Sequence, residues 1–196
     1  MPEETEEMRE DFNITSPNLV MCEGSADMKF IECLLVAHNI FEFQVAAIGG
    51  INEYRKFLSA LPLNRRFGNL SSIVLVSDND TGHRDPFHRL QQEVREANRI
   101  EPLADYPIPQ QPLVPITNAG YPAMIGTLLP WHDRKGNLEV LILDAFSEEW
   151  PEIKSQAENY VNANTTGGWN DDEKARAILH AIIAVTCKKE SACSLT

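Results

Sequence analysis

The sequence predicts an α/β protein with a mostly parallel four-stranded sheet, flanked by helices and followed by a helical C-terminal extension. Short apolar runs without polar alternation are typical of strands that are buried on both faces. Each of the first three runs precedes a segment with apolar residues at helical spacing, as in βαβ units. Right-handed crossovers then place the carboxyl ends of these strands at one edge of the sheet, where open α/β sheets bind ligands.

The first strand and helix are predicted over residues 19–22 and 26–37. Ser25 is the expected N-cap of this helix, because its hydroxyl can accept a hydrogen bond from the first turn. Apolar residues at helical spacing predict the buried face of the helix, formed by Met28, Ile31, Leu34 and Leu35.

The second strand is predicted over residues 43–48, where it ends at Gly49 and Gly50, and a helix follows over about 52–61. Two adjacent glycines are typical of a tight turn after a strand, since glycine adopts backbone conformations that other residues avoid.

The third strand is the apolar run 73–76, which is followed closely by Asp78 and Asp80. Asp85 and Pro86 predict the start of the next helix, with a cap followed by proline at the first helical position. Strand and helix have then alternated three times, which supports the parallel sheet.

The C-terminal part predicts a fourth strand over 124–129 and then mainly helices. Residues 138–143 fit either a strand or a helix; Asn137 favours a helix because it can cap one. Two further helices are expected over 148–162 and 171–185.

Composition predicts an acidic lead-in over 1–16, and the helical pattern predicts an extension over 147–196, with the main domain between them. No apolar run approaches the roughly 20 residues that a membrane span needs. The N-terminus lacks the basic start and apolar centre of a signal peptide. We therefore expect a cytoplasmic protein without a membrane partner.

The 196 residues carry a formal net charge of −12. This charge argues against a general nucleic-acid-coating protein, whose affinity comes from neutralising phosphates. It does not exclude an enzyme that concentrates carboxylates around metal ions.

Cysteine and tryptophan are expected to be structural. The four cysteines form no zinc-binding pattern, and Cys22 and Cys33 are predicted to be small buried residues. Trp131, Trp150 and Trp169 are interpreted as packing residues of the C-terminal region rather than as a platform for nucleobases.

A cluster of carboxylates is predicted at the strand ends. Asp78 and Asp80 lie two residues apart on an extended chain and point the same way, although Asp and Asn also begin many ordinary turns. Glu23 follows the first strand, and Asp27 lies in the first turn of the next helix. Oxygen ligands of this kind suit Mg²⁺ or Mn²⁺.

Three motifs in this order resemble the Toprim domain: Glu23-Gly24-Ser25-Ala26-Asp27, then Gly49-Gly50, then Asp78-Asn79-Asp80. Topoisomerases, bacterial primases, small ribonuclease-maturation enzymes, recombination proteins and OLD (overcoming lysogenisation defect) nucleases share this domain. The resemblance covers about residues 17–146 and implies a Rossmann-like Toprim fold.

The resemblance also implies roles for the acidic residues. Glu23 would act as general acid/base or as a metal ligand, and Asp78 and Asp80 would hold Mg²⁺. Asp27 matches an acidic residue of the OLD-type branch. Gly24, Gly49 and Gly50 match positions whose role is conformational.

Further residues match the OLD-type branch in particular. Leu138-Glu139 resembles a pair after the fourth strand, and Glu139 would then help to bind a second metal ion. Lys174 is the candidate for a lysine that stabilises the transition state, with Lys154 as the alternative. The chain carries no ATPase domain, topoisomerase tyrosine domain or primase zinc module beside these motifs.

Three hypotheses follow from the residues and the resemblance. The first is a nuclease that uses one or two Mg²⁺ or Mn²⁺ ions to cleave DNA or RNA, in phage defence or nucleic-acid processing, with a separate ATPase as partner. The second is a non-catalytic module that binds nucleic acid or a partner ATPase. The third is a nucleotidyl-transfer enzyme. In each case the C-terminal helices would cover the sheet or form a homodimer interface.

Overall fold

The computed structural model describes residues 12–79, 85–101, 104–131, 133–165 and 167–186. The chain divides into two compact units. The sheet unit comprises Met1–Ser77 and Asp85–Leu128, and the helical unit comprises Asp78–Arg84 and Leu129–Thr196. Asp80, Cys187 and Cys193 lie outside the described residues.

The described residues form a four-stranded sheet with the order β2-β1-β3-β4. The strands are β1 (Asn18–Cys22), β2 (Phe43–Ala47), β3 (Ser72–Asp78) and β4 (Ala123–Leu129). β1 pairs in parallel with both β2 and β3. β4 runs in the direction of β3, since Ala123 N–H donates to the Ser71 carbonyl at one end and Asn79 N–H donates to the Leu129 carbonyl at the other. The predicted parallel sheet is confirmed.

The helices of the sheet unit are α1 (Ser25–Ala37), α2 (Tyr54–Ala60) and α3 (Pro86–Ile100) within the described residues, so the α/β fold class is confirmed. Short 3₁₀ turns at Ile51–Glu53 and Leu61–Leu63 flank α2. α3 begins as predicted, because the Asp85 carboxylate accepts a hydrogen bond from the His88 N–H at 2.9 Å.

The core of the sheet unit lies between its strands and helices. Ile73 and Leu75 on β3 are fully buried, as are Leu90 and Val94 on α3. Fully burying such a side chain contributes about 1.5–3 kcal/mol. Ile14 is also buried in this core, so the region assigned to the acidic lead-in packs against the sheet unit at this position.

Tyr106 supplies a hydrogen-bond donor to a backbone carbonyl near the end of α2. The Leu58 carbonyl would normally accept a hydrogen bond from the N–H four residues later, but residue 62 is proline and has none. The Tyr106 hydroxyl donates to this carbonyl instead, at 2.8 Å. Burial raises the pKa of Tyr106 far above its usual range. Its hydroxyl is therefore a structural donor.

Glu93 is a buried carboxylate on α3. Arg55 on α2 lies 3.9 Å from it, between Nε and Oε2. Removal from water raises the pKa of Glu93 despite the attraction of Arg55. The ionised carboxylate therefore destabilises the folded sheet unit.

Helix α1 differs from its prediction. None of its residues is buried, and Leu34 is 43% exposed, so the predicted buried face is wrong. α1 packs against β2, which is an edge strand, and β1, and this narrow surface covers the helix only in part. Cys33 on α1 is exposed, contrary to the prediction, whereas Cys22 on β1 is buried as predicted.

The helical unit contains α4 (Leu138–Glu149), α5 (Pro151–Asn164) and α6 (Asp171–Thr186) among its described residues. The helix predicted at 138–143 is confirmed, with the Asn137 side chain accepting a hydrogen bond from the Val140 N–H at 3.2 Å. A core holds the three helices together, formed by Leu143, Ala157, Ala175, Leu179 and Ile182.

The helix expected over 148–162 is found with a later start, because α4 ends at Glu149 and Pro151 starts α5. The prediction for the tryptophans is wrong. The three tryptophans are not packed inside: Trp131 and Trp150 are each 53% exposed, and Trp169 is 45% exposed. None of the helices in the described ranges is both long and apolar enough to cross a membrane.

Candidate functional site

Glu23 lies directly after β1 in the sheet unit and is half-buried. Its Oε1 accepts a hydrogen bond of 2.5 Å from the Ser77 hydroxyl. Ser77 is buried on β3 and precedes Asp78 in the sequence. The hydroxyl therefore fixes the orientation of the Glu23 carboxylate at the carboxyl end of the strands.

The Gly49-Gly50 turn holds the backbone of Glu23. The N–H groups of Gly49 and Gly50 both donate to the Glu23 carbonyl, at 2.9 and 3.0 Å. Their φ angles are +88° and +115°, values that a side chain would strain. These two glycines therefore let the end of β2 reach the residue that follows β1.

Tyr54 ties α2 to the same strand ends. Its buried hydroxyl lies within hydrogen-bonding distance of the carbonyls of Met21 on β1 and Val76 on β3. Met21 is two residues before Glu23, and Val76 is two residues before Asp78. One tyrosine thus fixes the backbone that leads into both carboxylates.

Asp27 lies in the first turn of α1. Its Oδ2 accepts a hydrogen bond of 2.8 Å from the Gly24 N–H, which closes a capping interaction at the start of the helix. Gly24, rather than the predicted Ser25, is the N-cap. Asp27 therefore contributes to the helix start.

The helical unit brings together charged groups from three segments. Glu139, in the first turn of α4, accepts a hydrogen bond from Arg176 on α6, with 3.0 Å between Nε and Oε1. The pKa of Arg176 is raised, first by this hydrogen bond and the charge of Glu139, and further by Asp78 and Asp172. Asp78 at the end of β3 and Glu139 therefore act on the same guanidinium.

Arg176 is a candidate site residue that the sequence reasoning missed in favour of Lys174. The two residues are two positions apart on α6, so they lie on different sides of the helix. Lys154, the alternative candidate, donates to the Ser147 hydroxyl at 2.6 Å and pairs with Glu158 at 3.6 Å. Its ammonium therefore has local partners on α4 and α5.

Asn79, between the two aspartates of the motif, is the most buried residue of this region, at 0% exposure. Its Nδ2 donates to the carbonyls of Trp131 and Arg134, at 3.0 and 2.7 Å. The Lys135 ammonium donates to its Oδ1 at 3.0 Å. The side chain therefore holds the loop after β4 beside Asp78.

The backbone of Asn79 makes the same connection. Its carbonyl accepts a hydrogen bond of 2.8 Å from the Gly136 N–H. Gly136 has a φ of +142°, and a Cβ there would lie 2.9 Å from the Val140 side chain, so only glycine fits. Because Asn137 caps α4, this contact also fixes the start of the helix that carries Glu139.

The chemistry of the donor set suits a hard cation. The acidic candidates offer only carboxylate oxygens, which Mg²⁺ and Mn²⁺ prefer, and they include none of the His or Cys ligands of a zinc site. Within the described ranges, no three His, Cys, Asp or Glu side chains stand together as a complete metal site. Asp80, the second aspartate of the motif, lies outside those ranges.

Sequence comparison places the chain in a family. The profile of the family described as "Protein of unknown function (DUF3226)" matches residues 17–194. The chain belongs to the DUF3226 family. No curated protein matches the sequence of this DUF3226 chain.

Among solved structures, the DUF3226 chain is similar to the C-terminal region of the Burkholderia pseudomallei OLD protein. The identity is 14%, the match covers 88% of this chain and 83% of the other, and the TM-score is 0.43. A similarity of this size transfers neither residue roles nor an activity.

Proposed function

We propose that the chain is a nuclease that cleaves phosphodiester bonds with Mg²⁺ or Mn²⁺ bound by carboxylates. The observation that carries this proposal is the ion pair between Glu139 and Arg176 in the helical unit, whose guanidinium also feels the charge of Asp78. Carboxylates beside a permanent cation suit phosphoryl chemistry, in which a hard metal ion and a guanidinium both face anionic oxygens.

Asp78 and Glu139 would be metal ligands in the helical unit. The resemblance of the motifs adds Glu23, Asp27 and Asp80 as further candidate ligands, for one or two ions in all. The bound ion would supply a Lewis acid for the phosphoryl oxygen and lower the pKa of a water. The Ser77 hydroxyl orients Glu23, and Arg176 orients Glu139, through the hydrogen bonds described above.

Arg176 is the candidate for stabilising charge on the phosphate. Its guanidinium stays protonated throughout the physiological range, and its neighbouring carboxylates raise its pKa further. A fixed cation beside the reacting phosphate lowers the cost of charge that develops in the transition state. We propose this role for Arg176 in place of Lys174.

The biological setting follows from the resemblance of the motifs to the OLD-type branch. We propose a role in phage defence or nucleic-acid processing on DNA or RNA, with a separate ATPase as partner. The alternative is a non-catalytic module that binds nucleic acid or such a partner, and a nucleotidyl-transfer enzyme is the third candidate.

A substrate panel tests the proposal. Plasmid, single-stranded DNA and tRNA are incubated with the protein in Mg²⁺, in Mn²⁺ and with a chelator. We expect cleavage products in at least one divalent metal and none with the chelator. Binding without cleavage in every condition would instead favour the non-catalytic module, and incorporation of labelled nucleotide would favour nucleotidyl transfer.

A further inference from the structure

Trp131 presents a large aromatic side chain to solvent from a fixed backbone. The residue is 53% exposed, although tryptophan is usually mostly buried. Its carbonyl accepts a hydrogen bond of 3.0 Å from the fully buried Asn79 side chain. Because Asn79 follows Asp78, the exposed tryptophan belongs to a loop that is held beside the proposed site.

The other exposed tryptophans differ from Trp131. Trp150 packs its ring against Phe146, with 5.1 Å between the centroids. Trp169 follows the Gly167-Gly168 break before α6. Trp131 makes no contact with another aromatic ring within the part of the chain that the structure describes, and about half of its surface is accessible to a ligand.

A cation lies on the same loop. Lys135 is exposed, and its ammonium donates one hydrogen bond to Asn79 Oδ1. An ammonium has three donors, so two remain for another acceptor. Arg134 is already paired with Asp144. Lys135 can therefore reach a phosphate while Asn79 keeps it near Trp131.

We propose that Trp131 stacks on an unpaired nucleobase of the substrate while Lys135 contacts an adjacent phosphate. The substrate class is then single-stranded or locally unpaired nucleic acid, and this inference rests on the proposed nuclease function. Stacking on an aromatic side chain needs a base whose face is free, which a duplex does not offer. Duplex DNA also carries about one negative charge per 1.7 Å of axis, which a chain of net charge −12 disfavours.

Fluorescence anisotropy of labelled oligonucleotides tests the inference. Binding of single-stranded DNA, single-stranded RNA and duplex DNA is measured with a chelator present, so that cleavage plays no part. Trp131→Ala should weaken single-strand binding about 5- to 150-fold, the range expected for one stacked base. Trp131→Phe should retain most of the affinity. Trp169→Ala is the matched control, an exposed tryptophan elsewhere in the helical unit, and should bind like the wild type.

A second measurement covers the case in which Trp131→Ala fails to fold. In the Trp150→Phe/Trp169→Phe variant, Trp131 is the remaining tryptophan, and single strands should quench its fluorescence while duplex should not. Unchanged binding by a folded Trp131→Ala, equal affinity for duplex, or no quenching would overturn the inference. If binding depends on Trp131 but the protein never cleaves nucleic acid, only the proposed nuclease function is contradicted. If the protein cleaves nucleic acid but Trp131→Ala binds it as tightly as the wild type does, only the stacking role of Trp131 is contradicted.

Discussion

Replacing Asn79 by alanine should loosen the loop that links the end of β3 to α4. The substitution removes two hydrogen bonds, to the carbonyls of Trp131 and Arg134, and the acceptor of the Lys135 ammonium. The first two are partly buried, and each such bond contributes about 0.5–1.5 kcal/mol. The exposed lysine contact adds little. We therefore expect a loss of about 1–3 kcal/mol in the stability of this loop against local opening.

Hydrogen exchange measures this loss directly. The Gly136 N–H is bonded to the Asn79 carbonyl and should exchange about 5- to 150-fold faster in Asn79→Ala, which is the rate equivalent of the expected free energy. Asn118→Ala is the control, because Asn118 bonds Asp105 on the surface of the sheet unit. Unchanged exchange at residue 136 in Asn79→Ala would refute the assignment of Asn79 as the anchor of the loop.

Three further predictions concern the core, the buried charge and the arginine. Tyr106→Phe should lower the free energy of unfolding by about 1–3 kcal/mol in a urea titration, because a helix carbonyl loses its donor, whereas Tyr121→Phe should have little effect. Glu93→Gln should raise the free energy of unfolding at pH 8, because the raised pKa of Glu93 means that its charged form destabilises the folded protein. This gain should shrink as the pH falls and vanish below 4.5, the ordinary pKa of a glutamate. A difference between variant and wild type that stays constant with pH would contradict this reasoning. Arg176→Ala should reduce nuclease activity about 10²- to 10³-fold while Lys174→Ala retains it, and the reverse result would restore the original lysine candidate.

The inner strands β1 and β3 could be predicted from the sequence because they are largely buried on both faces. Residues 73–76 form a continuous apolar run, and that pattern distinguishes a central parallel strand from an amphipathic one. The helix at 138–143 could be predicted only from Asn137, since the apolar residues of this segment fit the spacing of a strand as well as that of a helix. Asn137 predicted the helix correctly because a capping hydrogen bond is local: its side chain accepts from the N–H of Val140, three residues later.

The exposure of α1 could not be predicted from its own residues. Its apolar residues recur at helical spacing, but the burial of a helix depends on how much sheet lies beneath it. α1 packs against β2 and β1, and β2 is the edge of the sheet. Leu34 and Cys33 are therefore exposed because their helix lies over the edge of the sheet, and no local sequence pattern encodes the order of the strands.

The positions of Glu23 and Asp78 at strand ends could be predicted because strand ends are marked in the sequence, but the partners of these residues could not. The sequence assigned no role to Asn79, because its hydrogen bonds reach residues more than fifty positions later and depend on the fold. Arg176 and Lys174 both lie near the start of α6, and only the rotation of that helix decides which one contacts Glu139.

The most direct test of the account is the cleavage rate of Asp78→Asn in the divalent metal that supports wild-type activity. Asp133→Asn is the matched control, because it removes the same charge from an exposed position in the helical unit. The account predicts that the wild type and Asp133→Asn cleave a labelled oligonucleotide at similar rates, and that Asp78→Asn is slower by about 100-fold or more. A folded Asp78→Asn variant that cleaves as fast as the wild type would contradict the account.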